Sequence, residues 1–292
     1  MLDTGDIVES GSHSDQFRAL ADILAKAGSL PYLVGVGNHE LDNNRPGRAR
    51  VNTAAFLKPI DPSLGPDRLY YKRTIGRVRF LFLDSNDFAY ESGPVGRIRR
   101  EAQLAWLVEE LRAVPDEPGW PTIVVMHHPI LQSSEKHRGQ ARSIWAMEYK
   151  GRSFPDILAD GGVDLVLAGH THTFERFRAT RRDGKGFHLV NLSGRPLSAF
   201  LWFGDGQRRA RAIPEGGEIP WFLSRGWTGL SGWDLTQEEA MLENEADQFA
   251  RFRVEPDGGL TMSVRFMNRP DFAPPVRLLW GEANSLELER KK

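Results

Sequence analysis

The feature that most constrains the fold is a short apolar run, residues 163–168, that ends in a glycine and two histidines. The run is apolar and partly β-branched, which is typical of a buried strand. Gly169 ends it, and His170 and His172 follow at the carboxyl end of the predicted strand. Open α/β sheets bind their ligands at that end. The pair therefore indicates a site in a cleft, although two ordinary histidines in a polar loop would give the same pattern.

Other apolar runs end in the same way. Leu2 leads into Gly5-Asp6, residues 31–36 lead into Gly37-Asn38-His39-Glu40, and residues 122–126 lead into His127-His128-Pro129. Apolar residues recur at helical spacing after Ser14 and again from Arg99 to Val114, which gives the chain a βαβ rhythm. If the strands share a sheet, their loops converge at one edge. The oxygen and imidazole groups there predict a hydrolytic metal site.

Each of these strand-end residues also has a purely structural interpretation. Asp6 after a glycine suits a turn, and Asn38 suits a left-handed turn position. His127 and His128 suit a strand end at the surface. One shared site explains the strand-end residues together, so we favour it.

Composition excludes several classes of partner and site. The chain has 292 residues, of which 40% are hydrophobic and 26% are charged, as is usual for a globular protein. A net charge of −1 gives no reason to expect a nucleic acid or an anionic membrane as partner. No apolar run is long enough to span a bilayer. Cysteine is absent, so a metal would be held by His, Asp, Asn or Glu, which suits Zn, Fe, Mn or Mg.

The pattern of strands and helices weakens after residue 200. We predict a core over residues 1–200, an irregular excursion or lid over 201–248, a returning β-hairpin of the same domain over 249–267, and a peripheral tail over 268–292. The hairpin prediction depends on two alternating stretches around Pro256-Asp257-Gly258-Gly259. Residues 134–142 are polar and are predicted to form a loop.

The ordered motifs resemble those of the calcineurin-like metallophosphoesterases and span most of the first two thirds of the chain. The matching residues are Gly5-Asp6, Gly37-Asn38-His39-Glu40, Met126-His127-His128-Pro129 and Gly169-His170-Thr171-His172. The continuation Thr173-Phe174-Glu175-Arg176 and the position of Lys136-His137 further resemble the purple acid phosphatase branch. The resemblance implies an α/β fold, a βαβαβ sandwich of two mixed sheets with flanking helices, around a centre of two metal ions.

The resemblance also implies which residues hold the two ions. Asp6 would bridge both ions through its carboxylate. Asn38, His127 and His170 would complete the shell of the second ion, and His172 would bind the first. The ions would be divalent or trivalent Fe, Zn, Mn or Mg.

Two further histidines are implied to act on the substrate. His39 would contact the phosphate or assist proton transfer, and His137 matches a proton-donating position in the purple acid phosphatases. A metal-activated hydroxide would hydrolyse a phosphate monoester or diester. The expected partner is therefore a phosphorylated small molecule or another phosphoester. The alternative is a non-catalytic relative that binds a single metal or a phosphorylated ligand.

The chain departs from the family pattern at two places. The family's first motif, Asp-x-His or Asp-x-Gly, has no counterpart before Asp6, so we expect the first strand to be missing. The first ion would then keep only Asp6 and His172. Glu9 stands where the purple acid phosphatases carry a tyrosine ligand, so we expect no tyrosinate colour. We interpret Glu9 as a solvated loop residue.

Overall fold

The computed structural model describes residues 1–26, 28, 31–43, 47–90, 93–113, 120–132, 138–192, 232–241, 248–256, 258–266 and 275–278. In chain order its elements are β1 (Leu2–Asp3), α1 (Ser14–Lys26), β2 (Leu33–Val34), α2 (Arg48–Leu57), β3 (Tyr71–Ile75), β4 (Val78–Phe82), α3 (Asn86–Ala89), α4 (Gly93–Arg112), β5 (Thr122–Val125), α5 (Arg138–Trp145), β6 (Glu148–Tyr149), β7 (Arg152–Ser153), α6 (Phe154–Asp160), β8 (Leu165–Ala168), β9 (Phe174–Arg181), β10 (Gly186–Asn191), β11 (Trp233–Met241), β12 (Gln248–Val254), β13 (Leu260–Phe266) and β14 (Val276–Leu278). Of the helices in the described part of the chain, none has the length and apolar content needed to cross a lipid bilayer.

A mixed seven-stranded sheet organises these elements, in the order β11-β9-β10-β8-β5-β4-β3. The central strands β4, β5, β8 and β10 run parallel, and the outer strands pair antiparallel. Every residue of β5 and β8 is buried, because both faces of the sheet are covered. This arrangement confirms the predicted α/β fold with flanking helices.

The sheet has an apolar core on each face. Val124 faces a core shared with Leu107 of α4 and Trp145 of α5. Its neighbour Ile123 faces a second core, which also contains Leu57 of α2 and the inner side of β13. Successive side chains of a strand point to opposite faces, which explains why one apolar run supplies both cores.

The structure corrects two of the sequence predictions. Part of the polar stretch 134–142 was expected to be a loop, but Arg138–Trp145 forms α5. Its Ala141, Ile144 and Trp145 are buried at helical spacing, and two of them lie beyond the stretch that was read as polar. Likewise, residues 233–241 of the predicted excursion form β11, which pairs with β9 at the edge of the large sheet.

The remaining C-terminal elements form a three-stranded sheet in the order β12-β13-β14. β12 and β13 make an antiparallel hairpin whose last pair is Val254 with Leu260, as the turn residues predict. Residues 193–231, 242–247, 267–274 and 279–292 lie outside the described residues. The division of the chain into core, lid and tail therefore stays a prediction.

A cavity of about 880 Å³ adjoins β1. It is lined by residues 1–6, by apolar side chains of the large sheet such as Phe80 and Ile123, and by β12 through Phe249 and Phe252. Among the described residues, β1 pairs only with β2, and β12 pairs only with β13. The cavity therefore adjoins two strands that each have an unpaired edge within the described structure.

Asp164, just before β8, gives a prediction about stability and pH. Its carboxylate accepts a hydrogen bond of 2.8 Å from the Thr122 N–H, and burial raises its pKa from 3.8 to about 6. The protonated form therefore favours folding, and this stabilisation is present below the ordinary pKa and lost as pH rises through about 6. We expect Asp164→Asn, which keeps the acceptor without the charge, to be more stable than the parent at pH 8 by on the order of 2 kcal/mol.

The measurement is the melting temperature of both proteins in chelator at pH 4 and pH 8. The variant should gain roughly 3–6 °C over the parent at pH 8 and little at pH 4. Asp22→Asn on the exposed side of α1 serves as a charge-matched control. An equal difference at both pH values would contradict the account.

Candidate metal centre

Side chains from four strand-end loops meet at one point in the structure. The Nε2 atom of His127 lies 3.2 Å from Asp6 Oδ2, 3.0 Å from Asn38 Oδ1 and 3.1 Å from His170 Nδ1. Ligand-type atoms of Asp6, His127 and His170 all lie within 4.8 Å of one another. Four lone-pair-bearing atoms that converge in this way suit a cation, and oxygen with imidazole donors suits Zn, Fe or Mn.

Strained backbone brings these side chains together. Asp6, His170 and His172 have φ values of 61°, 68° and 57°, in the left-handed region. Non-glycine residues adopt that region at a cost and persist there where the surrounding structure fixes them, often at functional sites. The left-handed backbone of Asp6 fits a turn residue, and the same conformation places its carboxylate at the convergence point.

Gly37 allows the loops of Asp6 and Asn38 to touch. A Cβ atom at this position would overlap the carboxylate and the backbone nitrogen of Asp6. No other residue lacks a Cβ, so only glycine permits this close approach.

Glu40 ties the same two loops together, and sequence reasoning gave it no role. Its carboxylate is 1% exposed and accepts hydrogen bonds from Gly37 N and Asp6 N, both at 2.7 Å, and from Val8 N at 3.1 Å. Burial, helped by the nearby Asp6, raises its pKa to about 7. The signal that could have identified Glu40 is that a tight Gly-Asp turn leaves backbone N–H groups that need an acceptor.

Asp6 and His127 form an electrostatic pair. Burial opposes ionisation of both, yet the neighbouring His127 and the His39 N–H hold the pKa of Asp6 well below its usual range. Conversely, burial lowers the pKa of His127, but the neighbouring Asp6 carboxylate raises this pKa by more, so that it lies above its usual value. A negative charge is thus stabilised at the convergence point, as a cation requires.

His127, Asn38 and Asp6 each have an orienting contact on the far side from the convergence point. His127 Nδ1 lies 3.1 Å from the carbonyl of Thr4, so a proton on Nδ1 leaves Nε2 free to bind. The Nδ2 group of Asn38 donates to Asn43 at 3.0 Å, which turns Oδ1 toward the centre. The Asp6 carboxylate accepts from His39 N at 3.0 Å. Such contacts fix metal ligands in place before an ion binds.

The comparison with protein families decides the family of the chain. The family model described as calcineurin-like phosphoesterase matches residues 1–174, which is more than half of the chain. The chain belongs to the calcineurin-like phosphoesterase family. The predicted resemblance is therefore confirmed.

Relatives within this phosphoesterase family include purple acid phosphatases. Purple acid phosphatase 21 of Arabidopsis thaliana is 30% identical over 212 residues, which cover 70% of this chain and 43% of the relative. A phosphoenolpyruvate phosphatase of Allium cepa is 30% identical over 158 residues, or 50% of this chain and 28% of the relative. The chain thus spans less than half the length of these curated relatives.

A solved structure shows the same fold. A purple acid phosphatase from yellow lupin (Lupinus luteus) seeds superposes with a TM-score of 0.60 at 16% identity, over 97% of this chain and 46% of that one. At this identity the similarity concerns the fold alone. It agrees with the α/β fold that the sequence predicts.

The remaining predicted site residues of this phosphoesterase differ in their placement. His39 and His172 line the cavity together with Asp6, but His172 is outside the three-residue cluster at the convergence point. His137 lies outside the described residues. The Glu9 side chain is 67% exposed, in keeping with a solvated loop residue.

His127 and His128 are not surface residues, so that alternative is wrong. They are 1% and 0% exposed. The ring of His128 packs against those of His127 and His170, with centroids 5.1 Å and 4.4 Å away. Its Nδ1 lies 2.9 Å from Ser85 Oγ, so a hydrogen bond anchors the ring at the back of the centre.

Proposed function

We propose that this phosphoesterase hydrolyses phosphate monoesters or diesters at a centre of two metal ions. The observation that supports the proposal is the convergence of Asp6, Asn38, His127 and His170 on one point beside an open cavity. Family membership supports metal-dependent hydrolysis of phosphate esters as the general chemistry. The substrate would be a phosphorylated small molecule or another phosphoester.

The residues at the convergence point would hold one ion, and Asp6 with His172 would contribute to a second. The donor set suits Fe, Zn or Mn and, through its oxygens, Mg. Such ions, when bound, lower the pKa of a water molecule and neutralise charge on phosphoryl oxygens.

His39 lines the cavity, which supports a role for it in holding or transferring a proton there. Its Nδ1 lies 2.8 Å from the backbone carbonyl of Glu9, so Nδ1 carries the proton that this oxygen accepts. Nε2 is then the atom that can accept a proton from, or donate one to, a substrate. His137 is proposed from the family resemblance as a second proton donor.

Replacement of His39 tests this role. We expect His39→Ala to lower turnover by about 10²–10⁴-fold, the usual contribution of a general acid or base, with metal content unchanged. The measurement is kcat for an aryl phosphate, with metal content by mass spectrometry. His13→Ala, on an exposed histidine of a neighbouring loop, is the matched control. Loss of metal would instead make His39 a ligand, and unaltered turnover would remove it from the chemistry.

Hydrolysis itself is tested with the purified chain and aryl phosphate mono- and diesters. The chain is stripped with a chelator and reloaded with Mn²⁺, Zn²⁺ or Fe²⁺. We expect metal-dependent release of the aryl group from at least one of the two substrates. Tight binding of one ion without any turnover would favour the alternative, a non-catalytic relative.

A further inference from the structure

We propose that Gln140 on α5 is a positioning residue, which fixes the tautomer and the orientation of His170 for metal binding. This inference rests on the proposed function, because it assigns a role relative to the metal centre. Gln140 Oε1 lies 3.1 Å from His170 Nε2. The other ring nitrogen, Nδ1, lies at the convergence point, 3.1 Å from His127 Nε2.

The chemistry of the two groups settles which nitrogen carries the proton. An amide oxygen can only accept, so the contact requires a proton on His170 Nε2. In a neutral imidazole the second nitrogen then has a free lone pair, and Nδ1 is the atom that faces the centre. Gln140 therefore selects the tautomer in which His170 can act as a ligand.

The position of Gln140 is itself fixed. Ala141, Ile144 and Trp145 of the same helix are buried in the core, so α5 cannot easily shift. The side chain of Gln140 also hydrogen-bonds that of Tyr90, which gives the amide a second partner. A rigid helix with a doubly held side chain is a suitable support for a ligand on a loop.

The outer contact of His170 can be removed by substituting its partner, whereas that of His127 cannot. His127 is oriented by the backbone carbonyl of Thr4, which every substitution at that position preserves. His170 has a left-handed backbone, φ 68°, and its Nε2 contact is to a side chain. Outer contacts of this kind typically contribute 10–100-fold to metal affinity.

Two substitutions separate a positioning role from a packing role. Gln140→Met keeps the length of the side chain and removes the acceptor, so it should weaken ion binding by about 10–100-fold. Gln140→Glu keeps an acceptor oxygen toward His170 Nε2, so its affinity should stay at or above that of the parent. Ser143→Ala, on an exposed residue of the same helix, is the control and should leave affinity unchanged.

Affinity is measured by calorimetric titration of the chelator-treated proteins with Co²⁺. Visible absorption of the bound Co²⁺ is a second readout, and the melting temperature of the ion-free proteins is measured in parallel. If the parent binds Co²⁺ and the Gln140→Met variant binds it equally tightly, the role of Gln140 is overturned. The proposed function is then left intact. Equal losses in the Met and Glu variants would also overturn it, because they indicate packing. A parent that binds no Co²⁺ would overturn both the inference and the proposed metal centre.

Discussion

Asp6→Asn should nearly abolish metal binding and lower phosphatase turnover by about three orders of magnitude or more. Asn has the same shape and keeps an oxygen that can accept from His39 N, but it lacks the negative charge that pairs with His127. A neutral amide oxygen binds a metal cation more weakly than a carboxylate oxygen does, and each 1.4 kcal/mol lost is about tenfold in rate or affinity. The effect should be larger than that of any orienting residue.

The test measures Mn²⁺ affinity, turnover and melting temperature in the same preparations. Asp22→Asn on α1 makes the same chemical change at an exposed site and should behave as the parent. The melting temperature separates loss of the centre from loss of the fold. Near-parental affinity in a folded Asp6→Asn protein would remove Asp6 from the metal shell.

An engineered strand that ends in Asp-x-His, fused to this 292-residue polypeptide, should add ligands for a second tightly bound ion and raise turnover by orders of magnitude. Among the described residues β1 has one strand neighbour, β2. The added strand would pair with the backbone groups on the other edge of β1. Asp6 and His172 alone would hold the first ion weakly, since catalytic zinc sites typically use three protein ligands.

Three proteins carry this comparison. The first is the chain itself, and the second has an upstream apolar segment that ends in Asp-x-His. The third has the same segment, but its Asp is replaced by Asn and its His by Ala. We expect about one tightly bound ion in the first and third proteins and two in the second. Only the second should turn over an aryl phosphate rapidly, because two ions stabilise the attacking and the leaving oxygen together. Two tightly bound ions and full turnover in the first protein would contradict the prediction.

The sequence predicts the central parallel strands of the large sheet well, because each is a short, largely apolar run that ends before a polar residue or a glycine. β5 and β8 are examples. Both of their faces are buried, so every residue is free to be apolar and the run stands out in the sequence. Helix α4 begins at Gly93, six residues before its periodic part. Val95 and Ile98 in that first part are 57% and 67% exposed, so no apolar face marks it.

The convergence of Asp6, His127 and His170 can be anticipated from the sequence, because these residue types themselves indicate metal-binding chemistry. The supporting residues are harder to predict, because the residue types Gln and Glu do not by themselves indicate a role beside a metal centre. Gln140 lies in a stretch that was read as loop, and its importance appears only when α5 brings it to His170. Glu40 becomes significant only when two loops place three N–H donors around it.

The most direct measurement of the central claim is anomalous X-ray scattering from crystals of the chain grown with Mn²⁺. We expect a peak at the convergence point, with about 2.0–2.5 Å to oxygen or nitrogen atoms of Asp6, Asn38, His127 and His170. His170 should bind through Nδ1 and keep Nε2 on Gln140. A peak elsewhere in the molecule, or an ion that avoids two or more of these four side chains, would contradict the account.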